Sequence, residues 1–304
     1  MSGHQNGRQS VRQNGAVQAA PDRWKPHGAL AMRRRFMDRL ATGLSLTATC
    51  VALLALCSIL LTLLVRGVAG LSLVTFIHST ASPGMNGGLA NAIVGSLIQT
   101  AVAILIGAPL GMMCGIYLSD YGRGWMASTT RFVSDMLLSA PSILIGLFIY
   151  QLIVVPTGHF SGFAGSVALA ILALPIVVRT TEDMLGLVPV ALREAGIGLG
   201  ASKWRVIVFI CLRAARTGVM TGILLAVARV AGETAPLLFT SLGNMDWSVS
   251  LAQPMASLPV TIYQYAGSAY DDWVQLAWTG ALLVTLGVLA INILVRVGFG
   301  RKGA

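Results

Sequence analysis

Long apolar runs separated by short polar segments set the pattern of this chain. Leu40 to Val65 is a run of 26 residues without a charge. Gly67 to Ser119 contains no Lys, Arg, Asp or Glu; its first part carries the turn signals Ser82-Pro83-Gly84 and Asn86-Gly87-Gly88, and Leu89 to Leu118 reads as a helix. Met136 to Val178 is again uncharged, and Pro156-Thr157-Gly158-His159 divides it into two helices. Thr217 to Leu242 and Trp273 to Val295 complete the set. Each run reaches the roughly 20 residues that cross a bilayer as a helix. They are continuous and do not alternate, so a β-barrel is excluded. The expected fold class is an all-α membrane protein, a bundle of six transmembrane helices.

The ends differ in kind. Residues 1–39 are polar and basic, without hydrophobic period up to Gly28, and are expected to form a disordered cytoplasmic tail. The first span is expected over 40–66; it is too long for a signal-peptide core and has no small-residue cleavage site. The main body is expected over 89–297, and a short cytoplasmic tail over 298–304.

Composition agrees. Only 11% of residues are charged and the mean hydropathy is +0.76, which excludes a soluble enzyme and a largely disordered chain. The net charge of +10 resembles that of a nucleic-acid binder, but its distribution does not. With the N-terminus inside, 19 of the 21 Lys and Arg fall in inside segments. Arg66 alone lies outside, and Arg229 is within a span. This bias places both termini in the cytoplasm and the chain in a bacterial inner membrane, facing lipid and not nucleic acid. Cys50, Cys57, Cys114 and Cys211 lack metal-ligand spacing and read as packing residues.

Two segments carry candidate chemistry. In the loop between the fourth and fifth spans, Val190 to Leu199 followed by Gly200 predicts a short surface helix ended by a glycine cap. Glu194 near its start suits the helix dipole. Such an element is either a docking knob or a solvated loop helix. In the fifth span, Arg229 and Glu233 lie four apart on one helical face and can pair. Charges at membrane depth are costly and mark pathways by default, although a structural bridge is the alternative. Gly232 and Pro236 predict a kink there. An Arg opening on a cavity attracts anions, and its planar donor fork suits phosphate.

Other features carry less. Gly107, Gly111 and Gly115 form a small-residue ladder, fit for packing within the bundle or for a subunit seam. Asp135 is expected to pair with Arg131. Trp247, Trp273 and Trp278 read as interfacial anchors. No Gly-Lys dipeptide exists, so this sequence has no Walker A loop, and any ATPase is a separate protein. There is no HExxH or GxSxG motif, hence no visible carrier of hydrolase chemistry.

At these residues the sequence resembles a known family. The loop is similar to the EAA motif of ABC-importer permeases: Glu194, Ala195, Gly200, Ile210 and Leu212 match, while Gly196 replaces the second Ala and Arg213 the final Pro. The stretch Ala228 to Leu238, with Pro141-Ser142-Ile143, Gly146-Leu147-Phe148 and Leu258 to Tyr263, resembles the phosphate-specific PstA-type permeases. The resemblance runs from about Leu89 to Asn292 and implies a MetI-like bundle with a cytoplasmic coupling helix in the loop 190–213. It also implies a PstC-type second permease, two copies of a PstB-type ATPase and a PstS-type extracytoplasmic phosphate-binding protein. ATP and Mg would be used by the ATPase, with no cofactor in this chain. Glu194, Ala195, Gly196, Gly200, Ile210 and Leu212 would couple to the ATPase. Arg229, Glu233 and Thr234 would line the substrate path. The alternatives are a permease for molybdate, tungstate or sulfate, and a membrane signalling or scaffold subunit reporting phosphate status.

Overall fold

The computed structural model describes residues 28–300, which form two units divided between Ile59 and Leu60. The first unit is the N-terminal portion of helix α1 (Gly28–Ala69). The expectations for residues before Gly28 and after Gly300 lie outside the described residues.

The second unit is built from the end of α1 and twelve further helices. These are α2 (Leu73–Ile77), α3 (Ala90–Ile116), α4 (Trp125–Ser139), α5 (Ser142–Ile149), α6 (Val155–Thr157), α7 (Gly162–Gly186), α8 (Val190–Gly198), α9 (Lys203–Arg205), α10 (Leu212–Val230), α11 (Ala235–Thr240), α12 (Leu258–Ala266) and α13 (Asp271–Gly300). Wider π-type turns extend α3 over Tyr117–Tyr121, join α5 to α6 over Tyr150–Val154, and join α9 to α10 over Val206–Cys211. Five helical segments are long and apolar enough to span a membrane. A sixth span arises if the bent pair α4 and α5–α6 counts as one. Among the described residues the chain is an all-helical membrane protein of five to six spans.

The break between α4 and α5 goes beyond the helix kink that Ser139-Ala140-Pro141-Ser142 suggests in the third span. The two halves meet at 104°. Pro141 pushes the preceding residue out of the helical region, and Ala140 is extended at φ −66°, ψ 136°. The fifth span is likewise interrupted where only a kink was expected: α10 stops at Val230, and α11 restarts at Ala235 with Pro236 in its first turn, where its missing N–H costs nothing.

α7 is the most buried of the spans and α3 lies along it. The glycine ladder forms this seam. A Cβ on Gly107 would stand 3.0 Å from the Ala170 carbonyl oxygen, one on Gly111 2.8 Å from Val177 Cβ, and one on Gly115 2.7 Å from Thr181 Cβ. In lipid, burying apolar surface gives helices little reason to associate, so close van der Waals contact at such small residues holds them. The ladder therefore serves packing inside this bundle.

Buried and half-buried polar side chains tie the long α11–α12 connection down. Asn91 donates through Nδ2 to the Asn244 and Met245 carbonyls at 3.0 and 3.1 Å, and the Ser96 hydroxyl accepts from the Leu258 N–H at 2.7 Å. The Gly162 and Phe163 N–H groups donate to the Gln253 and Leu251 carbonyls at 2.9 and 2.8 Å. Backbone groups of a non-helical segment need such partners where water is excluded.

Candidate functional site

Two places concentrate chemistry. The first is the gap between α10 and α11. Arg229 sits in the last turn of α10, and Glu233 lies beyond the helix end, its N–H donating to the Val230 carbonyl at 3.2 Å. Arg229 Nη1 and Glu233 Oε1 are nevertheless 2.5 Å apart, so the expected pair forms. Its members are unequal: the Glu233 side chain is 9% exposed and that of Arg229 is 58% exposed. Thr234 follows as the residue capping α11, half-buried. α11 is held against α5 by contact of Pro236 with Gly146, where a Cβ would lie 2.6 Å from Pro236 Cα.

Arg229 does not stand alone on its helix. Thr217, Thr221, Leu225 and Arg229 recur at four-residue steps, and all are exposed. The intervening Val219, Gly222, Leu224 and Ala226 are buried against the bundle. One face of α10 is thus exposed among the described residues of the second unit, with a guanidinium at one end and hydroxyls along it. The Thr221 hydroxyl donates to the Thr217 carbonyl at 2.8 Å, so it is satisfied on its own helix and keeps acceptor capacity outward.

The second place is the α8 element. The Leu199 cap and the positive φ of Gly200 (+84°) end the helix. The Ala201 N–H donates to the Gly196 carbonyl at 3.2 Å, and the Gly200 N–H to the Ile197 carbonyl at 2.9 Å. This is the two-bond glycine termination that satisfies the last helical carbonyls. Gly196 is buried against the following segment: a Cβ there would lie 2.8 Å from Ile210 Cδ1 and 3.0 Å from Val206 Cγ2. The motif residues Gly196 and Ile210 are therefore in one contact. Glu194 falls in the second turn, not the first, so the helix dipole favours it less than its spacing suggested. Glu194 and Ala195 are exposed, and Leu212 is half-buried. Around them Leu187, Val190, Ile197 and Leu199 are exposed apolar side chains, Leu199 to 89%.

Sequence reasoning missed the ionic anchors of this element. Asp120, in the wide turn that ends α3, pairs with Arg193 of α8. Lys203 Nζ donates to the Asp120 carbonyl at 2.7 Å. Arg131 pairs not with Asp135 but with Glu182 of α7, at 2.7 Å, and donates to the Leu118 carbonyl at 3.1 Å. The signal in the sequence was slight: a single acid closing an uncharged run. Away from both places, burial pushes the Tyr265 phenol above its ordinary value, and the Asp272 carboxylate acts in the same direction. Among the described residues no cluster of His, Cys, Asp or Glu could hold a metal ion.

Apolar helices long enough to cross a bilayer, with an ion pair at the end of one of them, define a multi-pass membrane protein. Comparison with known proteins agrees. Residues 107–299 match the family described as binding-protein-dependent transport system inner membrane component. The chain is 54% identical over 271 residues to the phosphate transport system permease protein PstA of Yersinia pestis, covering 88% of this chain and 92% of that one. It is 53% identical to the protein of the same name from Haemophilus influenzae, over 88% of this chain and 96% of that one. In fold it is similar to a chain of the MetNI methionine ABC transporter solved in an inward-facing conformation, with a TM-score of 0.54 and 20% identity over 70% of this chain and 94% of that one. The chain belongs to the family of binding-protein-dependent transport system inner membrane components, in its PstA branch.

Proposed function

We propose that this chain is a permease subunit of an ATP-driven importer of inorganic phosphate, and is not itself an enzyme. The carrying observation is the Arg229–Glu233 pair, buried at its acidic end and open at its basic end on an uncovered helix face. The names of its relatives supply the ligand: phosphate. Arg229 is ion-paired with Glu233, and its largely exposed guanidinium is available to an oxyanion passing along α10. Glu233 balances the cation between passages, and Thr234 adds a hydroxyl beside it. A PstC-type permease would cover the open face of α10 and complete the path.

Below the membrane, α8 would seat in a PstB-type ATPase, with one copy of that ATPase for each permease. Exposed Leu199 and Ile197 are the apolar contacts, and Glu194, Ala195, Gly196, Gly200, Ile210 and Leu212 build and hold the knob. ATP and Mg belong to the ATPase. A PstS-type binding protein would deliver phosphate from outside, and both termini would lie in the cytoplasm of a bacterial inner membrane.

The test is radiolabelled phosphate uptake at micromolar concentration in phosphate-starved cells lacking other phosphate transporters. Uptake should require this gene and be restored by wild type but not by Arg229→Ala. Uptake unaffected by deletion would overturn the reading. Molybdate, tungstate and sulfate are run as competitors, because the ion pair alone does not choose among oxyanions. Loss of phosphate-responsive gene expression with uptake intact would favour the signalling subunit.

A further inference from the structure

We infer that Asp120 is the positioning residue that makes the α8 knob move as one body with α3 and α7. This inference rests on the transport reading above and names the joint through which that reading works. The Arg193 guanidinium faces two elements at once. Its Nη1 donates to Asp120 Oδ1 at the end of α3, and its Nη2 donates to the Leu185 carbonyl near the end of α7 at 2.5 Å. A planar fork that bridges two partners has little freedom to rotate. Lys203, on the far side of the knob in α9, reaches the Asp120 carbonyl and lies 4.1 Å from the centre of the Tyr121 ring. The single residue Asp120 therefore holds the chain both before and after the Gly200 turn.

Three features make this joint more than a surface ion pair. The Asp120 side chain is 5% exposed, so it is little screened by solvent. Its second oxygen, Oδ2, is buried without a hydrogen-bond partner, which makes the carboxylate depend on Arg193. The two helices it bolts together are already locked at Gly107, Gly111 and Gly115. A push on α8 thus reaches the α3–α7 seam through Arg193. Gly196, packed on Val206 and Ile210, secures α8 only to the segment that follows it. Without the Asp120 carboxylate, α8 would still fold and still present Leu199, and Arg193 would keep its bond to the Leu185 carbonyl, but α8 would lose its ionic tie to the end of α3.

The experiment uses the complete transporter with its partner permease, ATPase and binding protein in proteoliposomes. Asp120→Asn removes the charge at nearly constant shape. Asp120→Glu restores it. Asp120→Asn with Arg193→Gln also removes the lone cation, in case the single variant folds poorly. Four quantities are read: protein level, ATPase co-purification, ATP hydrolysis, and phosphate imported per ATP hydrolysed. For Asp120→Asn we expect unchanged level and co-purification, with phosphate imported per ATP lowered about tenfold. Asp120→Glu should recover most of the coupling. Import per ATP at the wild-type value in Asp120→Asn overturns the inference. So does a loss of import in step with lost ATPase co-purification in both Asn-containing variants, which would mark a merely structural role. A wild-type transporter that imports no phosphate would instead sink the proposed function, so the two failures are distinguishable.

Discussion

Arg229 and Glu233 are paired across the end of α10, with the acid buried and the base largely open. The asymmetry dictates how the two should respond to substitution. Arg229→Ala leaves a buried carboxylate without its cation, which costs about 1–3 kcal/mol. Adding Glu233→Gln should recover part of that loss. A thermal-unfolding cycle in detergent is expected to show a coupling of about 0.5–3 kcal/mol. Additive effects would mean the pair is not a unit. Uptake should be lost in both, because the double variant restores stability but not the anion-binding cation.

Gly200 adopts φ +84°, a region in which side chains other than Gly and Asn are strained by about 1–2 kcal/mol. Gly200→Val should weaken recovery of the ATPase in pull-downs, while Gly200→Asn should retain most of it. Equal recovery for the two variants would show that the left-handed turn is not what shapes the knob.

Gly196 and Ile210 compete for one space. Gly196→Val should lower the unfolding temperature and ATPase recovery together, and Ile210→Ala added to it should restore both in part. The Gly196→Ala change asks the end of the Ile210 side chain to shift and the Val206 methyl to give slightly, so uptake should fall less than in Gly196→Val. A failure of Ile210→Ala to rescue would place the damage elsewhere.

Gly111 faces Val177 Cβ and Gly115 faces Thr181 Cβ, both branched at the point of contact. Neither neighbour can swing away. Gly111→Leu or Gly115→Leu should therefore destabilise the bundle by about 1–3 kcal/mol, seen as a lower unfolding temperature of the isolated subunit. An effect that appears only in the assembled transporter would instead assign the ladder to a subunit seam.

Orientation has its own test. In a cysteine-free background, Leu199→Cys is expected to react with an impermeant maleimide only in inverted vesicles. Asp246→Cys should react only in intact cells with a permeabilised outer membrane. The reverse pattern would invert the topology argued from the Lys and Arg bias.

Hydropathy and local chemistry determined a great deal. Six apolar runs, the one-sided basic segments, the glycine-ended α8 and the Arg229–Glu233 pair are all legible in the sequence. Each depends on residues within a few turns of one another. Spacing also showed that Gly107, Gly111 and Gly115 form a ladder, though not which helix it would meet. Tertiary structure decided what depends on distant neighbours. Asp120 meets Arg193, and Arg131 meets Glu182 in place of Asp135, only because α3 settles along α7 and brings the ends of these elements together. Pro141, and Gly232 with Pro236, announced kinks, but the full breaks, the 104° turn and the contact of Pro236 with Gly146 come from how α5 and α11 pack. The uncovered face of α10 follows the same logic. A helix's periodicity defines its faces, and only the neighbours it acquires on folding determine which of them stays open.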